Sequence, residues 1–137
     1  MAEKSKSAFL KVVLLIFAIV CLVYGICYFI IPDYLVKLSG GTPVFHGWLR
    51  WSGGILISFG IGAILVYRNL KNQGIFITVI TLGCLLSGLG LLWAWIGIEE
   101  GAKTWFTALP TIICLALAVL FYWSGQQAKE ILSPGKE

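Results

Sequence analysis

Four uncharged apolar runs decide what this chain can become: Val12–Ile31, Trp51–Tyr67, Gly74–Ile98 and Thr104–Ala128, of 20, 17, 25 and 25 residues. A helix rises about 1.5 Å per residue and the hydrocarbon core of a bilayer is about 30 Å thick, so runs of this length reach across it. Hydrocarbon offers no partner to an exposed N–H or C=O, so the runs must be helices, and their continuous apolarity excludes the alternating strands of a membrane barrel. Composition agrees, with 59% hydrophobic and 12% charged residues against roughly 25% charged in a soluble domain. The expected fold class is therefore all-α. It is a polytopic membrane protein with one domain over residues 1–137, an antiparallel four-helix transmembrane bundle with helices at about 8–31, 48–68, 74–98 and 104–128 and a short tail at 129–137.

The first run follows the basic segment Met1–Lys11. Its length exceeds the apolar stretch of a secretory signal, and Ile31-Pro32-Asp33 offers no small-residue cleavage site, so it is expected to stay as the first span. Lys4, Lys6, Lys11, Arg68, Lys71, Lys129 and Lys136 fall on one side of a four-span chain, and Lys37, Arg50 and Lys103 on the other. The positive-inside rule then puts both termini in the cytoplasm. Trp48, Trp51, Trp93, Trp95 and Trp105 gather at the outer ends of the spans, and only Trp123 lies at the inner ends. Indole favours the headgroup region, so an anchoring belt explains most of this; an aromatic-lined pocket is the alternative. The net charge of +4 sits in the flanking segments and points to lipid headgroups as partners, not to nucleic acid.

Between the first two spans, Pro32–Leu38 followed by Gly40-Gly41 has the proline start and glycine stop of a short helix, amphipathic enough to lie at the interface. Asn69–Gln73 reads as a tight helical hairpin, and Gln126–Leu132 as an extension of the last helix up to Ser133-Pro134-Gly135. Membrane helices associate through close packing, so small residues mark contacts. Gly54, Ser58 and Gly62 on the second span and Gly83, Ser87 and Gly88 on the third are spaced for such grooves, and these two faces are expected to meet. A subunit interface in a homo-oligomer would use the same residues.

One constellation stands out. His46, Arg50, Gly54, Ser58 and Gly62 recur every four residues, which sets Arg50 on the side of the glycine row and turns its stem toward the bundle. Asp33, Glu99 and Glu100 could accept its hydrogen bonds, and Trp48, Trp51, Trp93 and Trp95 could offer ring faces, forming a pocket at the outer leaflet. The more ordinary reading is an Arg50 that snorkels to headgroup phosphates, followed by a structural pair with Glu99 or Glu100. Cys21, Cys27, Cys84 and Cys114 form no C-x-x-C pair, and with one histidine in the chain no metal ligand set and no cofactor is expected. No charged residue lies in the middle of a span, where ion-coupled transporters keep one, and no nucleophile has an adjacent base.

Phe29-Ile30-Ile31-Pro32-Asp33, Gly40-Gly41, Leu49-Arg50 with Ser52-Gly53-Gly54, and Gly60-Ile61-Gly62 resemble a family of small four-span bacterial membrane proteins of unassigned function. The likeness covers mainly Ile30–Arg68. It implies a four-helix bundle in a bacterial cytoplasmic membrane, with Arg50 at the family's arginine position, and no substrate. Three functions follow in order: a non-enzymatic accessory or scaffold subunit, or homo-oligomer, working through packing faces; an outer-leaflet binding protein or carrier for a lipid-like or anionic small molecule; and, third, a lipid-modifying enzyme with no nameable catalytic group.

Overall fold

The structure is a computed structural model that describes residues 2–41, 47–96 and 104–133, with side chains from Ser7 onward. All regular structure among the described residues is helical: α1 (Ala2–Ile30), α2 (Pro32–Ser39), α3 (Gly47–Arg68), α4 (Gly74–Ile96), α5 (Thr104–Gln127) and α6 (Lys129–Leu132). Four of them, α1, α3, α4 and α5, are long and apolar enough to cross a membrane. Large apolar side chains such as Val12, Ile19, Val23, Leu65, Leu86 and Val119 point outward, the reverse of a soluble bundle and the arrangement that lipid stabilises. The chain is an integral membrane protein.

Sequence neighbours are not always spatial partners here. Helix α1 packs along α3 and α4 along α5, the two pairs join through α1 and α5, and α3 and α4 barely touch despite their short connection. The α1–α3 crossing is close because glycine meets glycine: a Cβ on Gly53 would lie 2.7 Å from the Gly25 carbonyl oxygen and 2.8 Å from the Phe29 nitrogen. Further along, Gly60 admits Leu22, whose Cγ would stand 2.9 Å from an added Cβ. These contacts seat Gly53 and Gly60, rather than the Gly54–Ser58 row, against the partner helix. Removing the side chain lets backbones approach, which is how membrane helices gain dispersion contact without a hydrophobic driving force.

The end where α1 and α4 begin and α3 and α5 finish, here the proximal end, is closed. Leu10, Val13, Leu14 and Phe17 of α1 join Ala63 and Val66 of α3, Ile77 of α4, and Ala118 and Phe121 of α5 in one buried cluster. Phe121, 0% exposed, meets Phe17 edge to face with ring centroids 5.3 Å apart. At the rim, the Lys11 ammonium lies 5.5 Å above the Tyr67 ring. The 69–73 connection turns through Asn72 in a left-handed conformation (φ 63°), and the Asn69 side-chain oxygen accepts a hydrogen bond from the Lys71 N–H.

Two sequence expectations shift at this end. Helix α1 starts at Ala2 rather than near residue 8, because the polar residues before the span are themselves helix formers and continue its register. The tail after residue 128 is partly folded: Ala128 breaks α5, and α6 turns under the bundle, with the Asn72 N–H donating to the Ile131 carbonyl at 3.2 Å and Leu132 buried. Leu70 and Leu132 are apolar residues in otherwise polar segments, and burying them against the helix ends stabilises the hook.

Helix α2 forms as its sequence signals require. Pro32 stands in its first turn, and Gly40 ends it at φ 86°, its N–H donating to the Lys37 carbonyl while the Gly41 N–H donates to Val36.

Candidate functional site

Toward the other, distal end the α1–α3 pair parts from the α4–α5 pair. Between them lies a cavity of about 570 Å³, partly open, to which every span contributes. Helix α1 supplies Phe17, Cys21, Tyr24 and Tyr28, α3 supplies Ser52, Ile55, Leu56 and Phe59, α4 supplies Val79, Ile80, Gly83, Cys84, Ser87 and Gly90, and α5 supplies Pro110, Ile113, Cys114 and Leu117. Phe17, Ile80 and Leu117 also belong to the proximal core, so they form the floor.

Local chemistry explains the space. Gly83 meets nothing within 4 Å of an added Cβ, so on α4 small residues leave room instead of making a contact. Further toward the distal end of the same helix, Gly88 packs on α5, with Leu115 Cδ2 at 2.7 Å from its built Cβ. Pro110 has no N–H to give back to the turn before it, which disturbs the α5 ladder where that helix borders the cavity. The next residue, Thr111, donates its hydroxyl to the Thr107 carbonyl at 2.7 Å.

The lining is almost wholly apolar and carries no ionised side chain. Its polar atoms are the hydroxyls of Tyr24, Tyr28, Ser52 and Ser87 and three thiols. Tyr24 and Tyr28 stack edge to face at 5.9 Å. Ser52 already donates to the Trp48 carbonyl at 2.8 Å, which leaves its oxygen as an acceptor. Such a surface suits a hydrocarbon or isoprenoid body with at most one or two neutral polar atoms. Among the described residues no three His, Cys, Asp or Glu side chains are close enough together to hold a metal ion.

Arg50 does not line this cavity. It is exposed on α3 at the mouth of a second, shallower hollow of about 550 Å³, floored by Gly54 and Ser58 and walled by Phe29, Trp51, Ile55 and Phe59. Arg50, Gly54 and Ser58 thus share a face as their spacing requires, but that face looks out of the bundle. Gly54 has nothing within 4 Å of an added Cβ, and within the row only Gly62 reaches α4, against the Phe76 ring at 2.8 Å. The Gly54 and Gly83 faces do not meet; Ile55, Phe59 and the cavity stand between them.

Of the tryptophans expected around Arg50, Trp51 (72% exposed) shares its groove, whereas Trp48, Trp93 and Trp95 line neither hollow. Asp33 lies on the exposed side of α2. His46, Glu99 and Glu100 fall outside the described residues.

Cys21, Cys84 and Cys114 come together around the cavity from three different helices, which their separations of tens of residues gave no reason to expect. A better sequence signal was available in Tyr24 and Tyr28, two hydroxyl-bearing rings one helical turn apart inside a span, in a chain whose third span carries Gly83, Ser87 and Gly90. No family model matches this chain, and neither a curated protein nor a solved structure matches it.

Proposed function

We propose that this integral membrane protein binds a lipid-like, largely apolar molecule in the cavity between its four spans, as a carrier or binding protein. The observation that carries this reading is the cavity itself. Its volume of about 570 Å³ is that of a site for a small molecule, and its apolar walls with few polar atoms have the usual character of one. The gap between α3 and α4 supports entry sideways from the bilayer, where such a molecule is dissolved. The distribution of Lys and Arg supports termini in the cytoplasm and the cavity toward the outer leaflet, and a bacterial cytoplasmic membrane is what the family resemblance implies. An accessory or scaffold role would use the outward strip of Gly54 and Ser58 as a helix-packing face, and it leaves the cavity without a purpose.

The test is binding of the methyl ester of a polyene fatty acid, fluorescent in dry surroundings, to the purified protein in nanodiscs. Saturable binding is expected. Gly83→Leu, which places a side chain in the cavity where nothing stands now, should weaken it about tenfold. Leu86→Ala, on the exposed side of α4, should leave it unchanged. Unsaturable partitioning that is identical in wild type and Gly83→Leu would refute the proposal.

A further inference from the structure

The outward groove on α3 is built from different chemistry than the cavity, and it is independent of the cavity reading. We propose that it holds one anionic phospholipid, with the headgroup phosphate on the Arg50 guanidinium and one acyl chain laid along Gly54 and Ser58.

Charge and depth both point there. Arg50 stands in the first turn of α3, at the rim of the span, and no described residue gives it a hydrogen bond or an ion pair. A guanidinium presents a planar fork of donors that matches phosphate oxygens, and it is less strongly hydrated than an ammonium group. Below it, the groove runs from Arg50 to Phe59, about 13 Å along a helix axis at about 1.5 Å per residue. A cation at the rim with an apolar trough leading inward has the polarity of a lipid in one leaflet.

The trough is suited to a chain. Gly54 offers bare backbone with open space above it. The Ser58 hydroxyl is turned inward, donating to the Gly54 carbonyl at 3.0 Å, so the floor shows no unused donor. Phe29 from α1 and Trp51, Ile55 and Phe59 from α3 form the walls. Ile55 and Phe59 also line the cavity, and so separate the two hollows.

A second copy of the chain fits less well. Two protomers pairing through this strip about an axis normal to the membrane would bring Arg50 against Arg50, a like-charge contact. A free anion would satisfy Arg50 and leave the apolar trough unfilled.

Native mass spectrometry of the full chain, released from micelles holding equal amounts of chain-matched phosphatidylglycerol and phosphatidylcholine, tests the proposal. The first phosphatidylglycerol adduct should exceed the phosphatidylcholine adduct about fivefold, the value of one basic side chain near an anionic surface. Arg50→Gln should bring the ratio to about one, Arg50→Lys should restore part of it, and Gly54→Leu should reduce first adducts of both lipids, with helical content by circular dichroism unchanged in each. Equal adducts in wild type, or a preference that survives Arg50→Gln, would overturn the assignment. So would loss of the preference on adding glycerol phosphate, which would show a headgroup-only anion site, or a wild-type dimer that Gly54→Leu dissolves, which would show a second copy as the occupant.

Discussion

At the proximal end the spans close on Phe121 and are capped by α6, while at the distal end the same helices surround a cavity of about 570 Å³. Both halves are made of apolar and small residues, so composition does not separate them. What each glycine faces differs instead, and the two kinds sit side by side, since Gly25 and Gly53 close the α1–α3 pair at the distal end, next to the cavity. Gly25, Gly53 and Gly60 face a neighbouring backbone or side chain and draw helices together, whereas Gly54 and Gly83 face open space. A missing side chain removes a spacer in the first case and a filler in the second, so one residue type both tightens and hollows a single bundle.

The largest expected effect lies in the closed half. Phe121→Ala removes a fully buried ring stacked on Phe17 and should cost about 3–5 kcal/mol, read as a lowered unfolding midpoint in a fixed detergent. Survival with an unchanged midpoint would show that the proximal core is looser than its burial implies.

Next in size is a matched pair of glycine substitutions. Gly53→Ala would set a methyl 2.7 Å from the Gly25 carbonyl oxygen, and the forced separation of α1 from α3 should destabilise by about 1–3 kcal/mol. Gly83→Ala meets nothing and should stabilise by up to about 1 kcal/mol through helix propensity. The opposite signs are the point of the comparison; equal signs in thermal unfolding would erase the distinction between a glycine that seats a neighbouring helix and one that leaves space.

The smallest effect is a protection pattern. Cys21, Cys84 and Cys114 line the cavity and Cys27 does not. A membrane-permeant maleimide should label the first three more slowly when the polyene methyl ester is bound, by about twofold to tenfold at a site nine-tenths occupied or less. Cys27 should not respond. Uniform slowing at all four thiols, measured by peptide mass spectrometry, would mean that the probe changes the micelle rather than filling the cavity.

Much of the fold was legible before any coordinates. Long uncharged runs, Pro32 with Gly40, and the Asn69–Gln73 turn each signal their structure locally, since chain length, a fixed φ and a left-handed cap depend on near neighbours only. The site was not legible in the same way. Spacing placed Arg50, Gly54 and Ser58 on a common face, and the structure keeps them on one groove, but spacing does not say whether that face looks inward. The small residues of α3 and α4 were expected to meet; instead Gly54 and Ser58 border one hollow, Gly83 and Ser87 the other, Gly88 packs on α5, and only Gly62 reaches across, to Phe76.

By itself, the order of residues determined a chain that crosses a membrane on four helices, because the cost of an unpaired backbone group in hydrocarbon leaves no other spanning form for runs of that length. Only the tertiary structure decided which helices pair, which glycines touch and where space is left. In lipid the apolar surfaces are nearly equivalent to their solvent, so partners are chosen by shape across the whole bundle rather than by any pattern within one helix.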